Sequence, residues 1–275
     1  MTAPEPLTVT DSDGVTIFVN RWAIPDPKAI VHIVHGLGEH SARYERLAGD
    51  LNAVGYTVYA DDHPGHGRTG VAMGGLGPLG PRGMVGTLDA VHAVSQYAQS
   101  QHPGLPFVLL GHSWGSLLAQ KYALQWGSEL SALVLSGTRL MVPPFRELTS
   151  FNDDFEPAAT RYDWLSRDPA EVAKYVDDPW CGFSPDFPQD EMVVLAGPPT
   201  EAVPSALPIL VLNGARDPVG GESSGHALVE AYREVGVEDV TYLCYLDARH
   251  ELFNETNRDV VTADLVEWLD AHVKV

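Results

Sequence analysis

Short apolar segments alternate with longer amphipathic ones along most of the chain. The short segments, such as 30–34, are almost continuous runs of branched and aromatic residues, which is typical of strands buried on both faces. The longer segments, such as 44–54, repeat apolar residues at helical spacing. The predicted strands are 16–22, 30–34, 56–60, 107–110, 132–135, 208–212 and 240–246. The predicted helices are 44–54, 88–98, 115–126, 226–235 and 260–273.

This alternation predicts an α/β fold with a mostly parallel sheet and helices on both faces. Residues 137–206 interrupt the rhythm, because prolines recur through them and aromatic residues cluster between Tyr162 and Trp180. A linker would lack such aromatic side chains, so we interpret the stretch as an inserted helical cap. The predicted organisation is a core made of 1–136 and 207–275 with a cap, or lid, at 137–206.

The composition is that of a packed globular protein, with 44% hydrophobic and 20% charged residues in a chain of 275. Charge is the exception, because 17 Lys and Arg stand against 37 Asp and Glu, giving a formal net charge of −20. A field of that sign repels nucleic-acid phosphates and anionic lipid headgroups, so we expect no nucleic-acid partner. We also expect no stable membrane anchor, because no apolar run approaches the roughly 20 residues that cross a bilayer. The oligomeric state stays open.

Cys181 and Cys244 are the only cysteines, and they lie far apart in a chain long enough to form a large core. This usage is typical of free thiols in a reducing compartment. The segment 1–6 is acidic and proline-rich and lacks the regions of a signal peptide. We therefore expect a cytoplasmic protein.

The sharpest motif is the segment 111–115, which reads Gly-His-Ser-Trp-Gly. It follows the predicted strand 107–110 directly and precedes a predicted helix, which is the context of a nucleophile elbow. In such a turn the backbone is strained, and the hydroxyl stands at a helix N-terminus, where negative charge is favoured. We predict that Ser113 is a nucleophile; the alternative is a glycine-rich turn with an idle serine.

A serine hydroxyl needs a base to become a good nucleophile. In folds with this elbow, the acid and then the histidine follow the serine along the chain. His226 opens a predicted helix, and His272 lies near the end of the last one. His250 follows the last predicted strand on a loop at the expected sheet edge, so we predict that it is the base.

The acid is expected on the loop after the strand 208–212, where Asp217 is the candidate. Asp247 is a rival, but it precedes His250 by only three residues and is better placed as a turn residue. The alternative for Asp217 is that it only caps the helix near residue 223.

An oxyanion hole needs N–H donors that are fixed before the reaction. One donor would be the backbone N–H of Trp114, directly after the predicted nucleophile. The second should come from the loop after the strand 30–34, and we predict the backbone N–H of Leu37. His35, on the same loop, is interpreted as a structural residue.

Three segments together carry a family resemblance: 35–44 (His-Gly-Leu-Gly-Glu-His-Ser-Ala-Arg-Tyr), 61–67 (Asp-Asp-His-Pro-Gly-His-Gly) and 111–115. They resemble α/β-hydrolases of the monoacylglycerol lipase and lysophospholipase group, and Asp217 and His250 match that group's acid and base positions. The resemblance implies a Ser–Asp–His hydrolase with a cap over an acyl pocket that acts on a lipid-like monoester.

In that group, the Glu-His-Ser-x-Arg-Tyr segment lies near the alcohol end of the substrate. The resemblance therefore implies polar substrate contacts from Glu39 and Arg43, and an internal ion pair between them is the alternative. Trp114 departs from the group, where a smaller apolar residue is more usual. The Ser-Trp-Gly-Ser of 113–116 resembles proline iminopeptidases instead, but the 35–38 segment does not match their His-Gly-Gly-Pro-Gly loop.

Three further patterns carry little weight. The G-x-G-x-x-G match at 75–80 follows no predicted strand, so it indicates no dinucleotide site. Proline and glycine separate His63 from His66 and exclude the helical spacing of a metal pair. The apolar segment 140–145 is interpreted as packing of the cap on the core, and the alternative is a patch that touches micelles or membranes transiently.

The resulting prediction is a serine hydrolase that cleaves carboxylic esters through an acyl-enzyme, with no metal and no organic cofactor. The partner is a small-molecule ester, and the resemblance implies monoacylglycerol or a similar lipid-like monoester. A short-chain or aryl monoester esterase, for example of the phthalate type, and an aminopeptidase like the proline iminopeptidases stay open. A non-catalytic receptor on the same fold would have lost a member of the triad, and none is lost in the sequence.

Overall fold

The computed structural model describes residues 3–142, 151–184, 186 and 189–273, and within them an eight-stranded sheet forms the centre. Its strands are β1 (Glu5–Thr10), β2 (Thr16–Trp22), β3 (Ala29–Val34), β4 (Tyr56–Asp61), β5 (Phe107–His112), β6 (Ala132–Ser136), β7 (Ile209–Gly214) and β8 (Val240–Tyr245). They lie side by side in the order β1-β2-β4-β3-β5-β6-β7-β8. Strands β3 to β8 are parallel, whereas β1 and β2 pair antiparallel with their neighbours.

Helices cover both faces of this sheet. They are α1 (Glu45–Ala53), α2 (Gly67–Ala72), α3 (Gly83–Gln101), α4 (Trp114–Trp126), α5 (Pro169–Asp177), α6 (Gly221–Glu234) and α7 (Arg258–His272). Helices α3, α4 and α6 share one apolar cluster with the sheet, and α1 and α7 share the other. Alternate residues of β3 enter opposite clusters, because successive side chains of a strand point to opposite faces. The predicted α/β class is confirmed.

Two elements of the core were absent from the sequence prediction. Strand β1 lies at the edge of the sheet and pairs with β2 only, so its residues are exposed or half-buried and show no strong apolar run. Its Pro6 is compatible with an edge strand, where an N–H can be missing. Helix α2 has six residues and two glycines, which is too short for a periodic signal.

Between the end of β6 and the start of β7 lies a segment of short elements over the carboxyl ends of the strands. Its longest described helix, α5, begins after Asp168, whose carboxylate accepts a hydrogen bond from Ala170 N at 3.0 Å. Of the apolar segment 140–145, Leu140 and Met141 pack on the core, and residues 143–145 lie outside the described part. Within the described residues, no helix combines the length and apolarity needed to cross a bilayer.

Candidate active site

Ser113 lies in a strained turn between β5 and α4. Its φ of 55° and ψ of −122° fall outside the regions that non-glycine residues usually adopt, and such strain concentrates at functional sites. The flanking glycines let the strand and the helix approach. A Cβ on Gly111 would lie 2.5 Å from the Gly115 carbonyl oxygen, and one on Gly115 would lie 2.1 Å from the Val34 oxygen. The strand–turn–helix context therefore holds the serine at the carboxyl edge of the sheet.

His250 and Asp217 meet at the same edge. The Nδ1 atom of His250 lies 3.0 Å from Oδ2 of Asp217, and both side chains are buried. The other Asp217 oxygen accepts a hydrogen bond from Val219 N at 2.8 Å. Asp217 does not cap the following helix, because α6 begins after Gly220 and has no side-chain cap. This pairing is the arrangement that fixes the tautomer of a catalytic imidazole.

The rival groups lie elsewhere. Asp247 is exposed in the turn after β8. His226 is exposed on α6 and contacts the ring of Tyr242. His272 stacks on the indole of Trp268 at the end of α7. Of the histidines that follow Ser113, His250 is therefore the one in contact with Asp217.

The electrostatic setting of His250 favours its charged form. Burial acts to lower the pKa of His250, but the charge of Asp217, its hydrogen bond and the charges of Glu251 and Glu39 outweigh burial. The net pKa is raised above the ordinary value of 6.5. These surrounding charges stabilise the imidazolium that forms when His250 takes a proton.

Two aromatic rings that contact His250 were not predicted from the sequence as site residues. The Trp164 indole lies 4.9 Å from the imidazole, and the Trp164 carbonyl accepts a hydrogen bond from His250 N at 3.4 Å. The His112 ring lies 4.8 Å from the same imidazole. Burial, and then the charge of His250, lowers the pKa of His112 to about 4, so this neighbour is neutral at pH 7. Trp164 had no signal beyond its place in the aromatic cluster of the cap.

Ser113 and His250 come close through shared neighbours. The backbone N–H of Ser113 donates to Ser136 O at 2.9 Å. A Cβ on Gly137, the residue after Ser136, would lie 3.1 Å from Cε1 of His250. Among the hydrogen bonds of the described residues, none joins the Ser113 hydroxyl to the imidazole. Such catalytic bonds often become short only in the substrate complex.

The loop after β3 presents a free N–H group beside the serine. His35 accepts a hydrogen bond from His63 N at 3.1 Å, so its other nitrogen donates to the Gly36 oxygen at 2.7 Å and holds the loop. No hydrogen bond among the described residues uses the N–H of Leu37. The N–H of Trp114 is in the first turn of α4, where helical N–H groups have no intrahelical partner. Both residues border the cavity next to Ser113.

Trp114 fits in the wall although it is bulky. Its side chain is 3% exposed and stacks on the His66 ring at 5.1 Å. Its indole N–H points to the Met84 sulfur at 3.2 Å, at the start of α3. Met84, at the start of α3 after the long glycine-rich loop, therefore packs against the indole.

Glu39 and Arg43 form an internal ion pair, the alternative that the sequence left open. Arg43 donates to Glu39 at 2.5 Å and to both oxygens of Glu251 at 2.6 and 2.7 Å. Glu39 also accepts bonds from Gly36 N at 2.6 Å and from the Tyr44 hydroxyl at 2.7 Å. Burial raises the pKa of Glu39, but these partners, Arg43 foremost, bring it to about 2. Neither residue is among those that line the cavity.

Other clusters of ligand-type side chains are internally bonded. The Nδ1–H of His63 donates to the Asp61 carboxylate at 2.6 Å, and the His63 ring stacks on His35 at 3.8 Å. His40, Asp178 and Cys181 place possible ligand atoms within 4.8 Å of one another, but His40 already bonds Asp178 at 2.9 Å. Burial raises the pKa of the Cys181 thiol, which disfavours the thiolate that a metal requires.

A cavity of about 440 Å³ opens beside Ser113, within the usual range of small-molecule sites. Its described lining is mostly apolar and aromatic and includes no Asp or Glu. Its two arginines, Arg139 and Arg161, were not predicted from the sequence. Arg139 follows the carboxyl end of β6 by three residues, a position where α/β sheets commonly bind ligands. The lining residues with large side chains are Leu37, Trp114, Leu117, Arg139, Phe151, Arg161, Tyr162, Trp164, Tyr175, Phe183 and Met192.

Comparison with known proteins gives consistent results. The model of the family described as serine aminopeptidase, S33 (Hydrolase_4) matches residues 25–257. A monoacylglycerol lipase of Mycolicibacterium smegmatis is 31% identical over 94% of this chain and 95% of its own. Human monoglyceride lipase is 28% identical over 90% of this chain and 84% of its own.

A solved structure shows the same similarity in three dimensions. A thermostable carboxyl esterase from Bacillus coagulans, determined in complex with glycerol, superposes with a TM-score of 0.89 at 29% identity and covers 100% of both chains. The resemblance to the monoacylglycerol lipase group, inferred from three motifs, is confirmed. The chain belongs to the α/β-hydrolase family whose model is described as serine aminopeptidase, S33.

Proposed function

We propose that this protein is a serine hydrolase that cleaves carboxylic esters, with monoacylglycerol-like lipid monoesters as its substrate class. The observation that carries the proposal is the buried Asp217–His250 pair beside Ser113, which lies in a strained turn at the mouth of a mostly apolar cavity. The monoacylglycerol lipase and carboxyl esterase relatives support the same reaction class.

In the proposed mechanism, the Ser113 hydroxyl attacks the ester carbonyl while His250 takes its proton. Asp217 holds the imidazole and stabilises its charge. The N–H groups of Leu37 and Trp114 stabilise the oxyanion. The imidazolium then protonates the leaving alcohol, and water hydrolyses the acyl-enzyme with His250 again as the base.

We propose that residues 137–206 form a lid over the cavity, and that 1–136 and 207–275 form the catalytic core. The lid segment contributes Tyr162, Phe183 and Met192 to the cavity, opposite Leu117 of α4. It also holds the base loop, since Glu251 N donates to Leu165 O at 2.7 Å. Aromatic and apolar side chains on both sides provide a site for an acyl chain.

Peptide hydrolysis is the second candidate, because the family description names an aminopeptidase. An aminopeptidase must bind a protonated amino group, and carboxylates are the natural partners of such a cation. The described residues around the cavity offer two arginines and no carboxylate. The cavity therefore favours esters over peptides with a free N-terminus.

We also propose that the enzyme works in the cytoplasm and meets lipid only transiently. Cys181 and Cys244 are both free thiols, as expected in a reducing compartment. Leu140 and Met141 pack against the core and do not form an apolar surface.

A substrate panel with purified protein tests the proposed function. Wild type should hydrolyse 1-decanoylglycerol and p-nitrophenyl esters and should not release naphthylamine from proline naphthylamide. Ser113→Ala should lose turnover by more than about 10⁴-fold and keep its circular dichroism spectrum. Ser100→Ala changes an exposed serine on α3 and should keep full activity. Ester turnover that survives in Ser113→Ala would refute the assignment.

A further inference from the structure

The charge of the cavity differs from the charge of the chain as a whole. Acidic residues outnumber basic ones 37 to 17 in the sequence, yet the described residues that line the cavity include Arg139 and Arg161 and no acidic side chain. A neutral lipid monoester gives no reason for this reversal. The pattern indicates a ligand that carries negative charge.

The backbone of Arg139 is held firmly. Gln120 of α4 donates its amide hydrogens to the Arg139 carbonyl at 3.2 Å and to the Thr138 hydroxyl at 3.0 Å. Asn213 of β7 donates to the Thr138 carbonyl at 2.8 Å. Two elements of the core therefore fix the point from which the Arg139 side chain extends along the cavity.

The guanidinium of Arg139 has unused hydrogen-bonding capacity. Its Nε is fully buried without a hydrogen-bond partner, and the group forms no ion pair with any described residue. Burial lowers the pKa of Arg139, and the charge of Asp217 offsets part of that effect. The hydrogen bonds that Asp217 accepts come from His250 and Val219, and none among the described residues joins it to the Arg139 guanidinium. A buried unpaired donor is costly unless a ligand satisfies it.

Arg161 adds a second positive charge to the cavity lining. It is exposed, and its hydrogen bonds go to neutral oxygens, the Tyr162 hydroxyl at 2.5 Å and the Gly182 carbonyl at 3.2 Å. No carboxylate among the described residues pairs with it. Its charge adds to that of Arg139 at the cavity.

We propose that Arg139, assisted by Arg161, binds an anionic group of the ester substrate, so that the preferred substrates are monoesters that carry a carboxylate or a phosphate. Half-esters of dicarboxylic acids and monoacylglycerols phosphorylated on the glycerol have this chemistry. A guanidinium recognises both oxyanions through charge-assisted, often bidentate hydrogen bonds. This inference rests on the proposed ester hydrolysis and specifies its substrate class.

The test compares matched esters on wild-type protein. Hexyl hydrogen succinate, hexyl 4-oxopentanoate and hexyl 4-aminobutanoate share one skeleton and place a carboxylate, a neutral acetyl group or an ammonium at the same position. A second pair, 1-decanoylglycerol 3-phosphate and 1-decanoylglycerol, places the anion on the alcohol side. At least one anionic ester should exceed its neutral match about 10- to 100-fold in kcat/KM, as expected for hydrogen bonds to a charged group. The pair that shows the preference identifies the carboxylate or the phosphate as the recognised group.

Variants assign the preference to its residue. In Arg139→Gln, kcat/KM for the anionic ester should exceed that for its neutral match by no more than about threefold, and the circular dichroism spectrum should match that of wild type. If Arg139→Gln does not fold, the same measurement uses Arg139→Met, whose side chain is of similar length and has no charged or hydrogen-bonding group. Arg233→Gln removes one exposed positive charge on α6, where Arg233 is paired with Glu230, and should keep the wild-type preference.

The outcomes separate the two proposals. Equal kcat/KM for anionic and neutral esters, or a preference that persists in folded Arg139→Gln, would overturn the anion site and leave the esterase intact. No hydrolysis of any ester, together with no fluorophosphonate labelling of Ser113, would instead overturn the proposed function.

Discussion

Two arginines near the same active site have opposite surroundings. Arg43 is enclosed by Glu39 and Glu251, and its guanidinium donates to three carboxylate oxygens. Arg139 lines the cavity and has no carboxylate partner among the described residues. The first arrangement is complete without a ligand, whereas the second leaves a positive charge on the cavity wall.

The difference separates framework from binding surface. The Arg43 network joins the loop after β3, through Glu39 and Gly36, to the loop after β8, through Glu251, which follows His250 in the chain. Removing one partner of such a buried ion pair leaves an uncompensated charge. Arg139 contributes little to the framework, so its substitution should affect substrate choice instead.

The largest expected effect concerns Asp217, whose carboxylate contacts His250. Asp217→Asn keeps the shape of the side chain but lets His250 adopt the wrong tautomer, so kcat should fall about 10⁴-fold. Steady-state hydrolysis of a p-nitrophenyl ester measures the loss. A decrease of less than tenfold would mean that Asp217 does not orient the base.

The two arginines should differ in their effect on stability. Arg43→Met leaves Glu39 and Glu251 buried without their cation, and the free energy of unfolding should fall by about 3–5 kcal/mol. Arg139→Met leaves no described carboxylate without its cation, so the free energy of unfolding should change by less than about 1 kcal/mol. Urea unfolding at pH 7.5 measures both. Equal losses in the two variants would contradict the distinction.

Stability should also fall in acid, in two separate ranges of pH. His66 and His112 have native pKa values of about 4, mainly because of burial, against 6.5 ordinarily. Between pH 6.5 and 4 the unfolded chain takes up protons that these native side chains exclude. Stability therefore falls by up to about 1.4 kcal/mol per pKa unit for each group.

The second pH range in which stability falls is that of Glu39, in the Arg43 network. Its native pKa of about 2 lies below the ordinary 4.5, so its contribution is complete above pH 4.5 and disappears as the pH falls towards 2. Urea midpoints at half-unit intervals from pH 8 to 3 resolve the ranges. In Glu39→Gln, the decrease below pH 4.5 should become smaller, and the decrease above it should remain.

The smallest expected effect is a shift in the pH profile of activity. His250 must be neutral to act as a base, and its pKa is raised, so kcat/KM should be half-maximal above pH 6.5. The charge of Glu39 is one cause of the raised pKa of His250, so Glu39→Gln should move the pH of half-maximal kcat/KM to a lower value. An unchanged pH of half-maximal kcat/KM in Glu39→Gln would mean that the charge of Glu39 does not act on His250.

Most of the fold was predictable because its core strands are buried on both faces and give strong apolar runs. The two missed elements are an edge strand, β1, and the six-residue helix α2, whose local patterns are weak. The strained turn at Ser113 was predictable because the signal of an elbow is local. The contact between Asp217 and His250 was predictable because chain order and strand ends restrict the choice.

The remaining site features depend on contacts between distant segments. Glu39 and Arg43 had two readings in the sequence, and the residue that decides between them, Glu251, is 208 positions from Arg43. Arg139 has no local motif, since its environment comes from α4 and from the loop of Asp217. Trp164 reaches His250 only after the segment between β6 and β7 folds over the sheet edge.

The central claim is that His250 and Asp217 make the Ser113 hydroxyl reactive. Fluorophosphonate labelling followed by peptide mass mapping tests it directly. Wild type should carry one adduct, on Ser113, whereas Ser113→Ala and folded His250→Ala should carry none. An adduct on a different residue, or unchanged labelling of Ser113 in His250→Ala, would contradict the account.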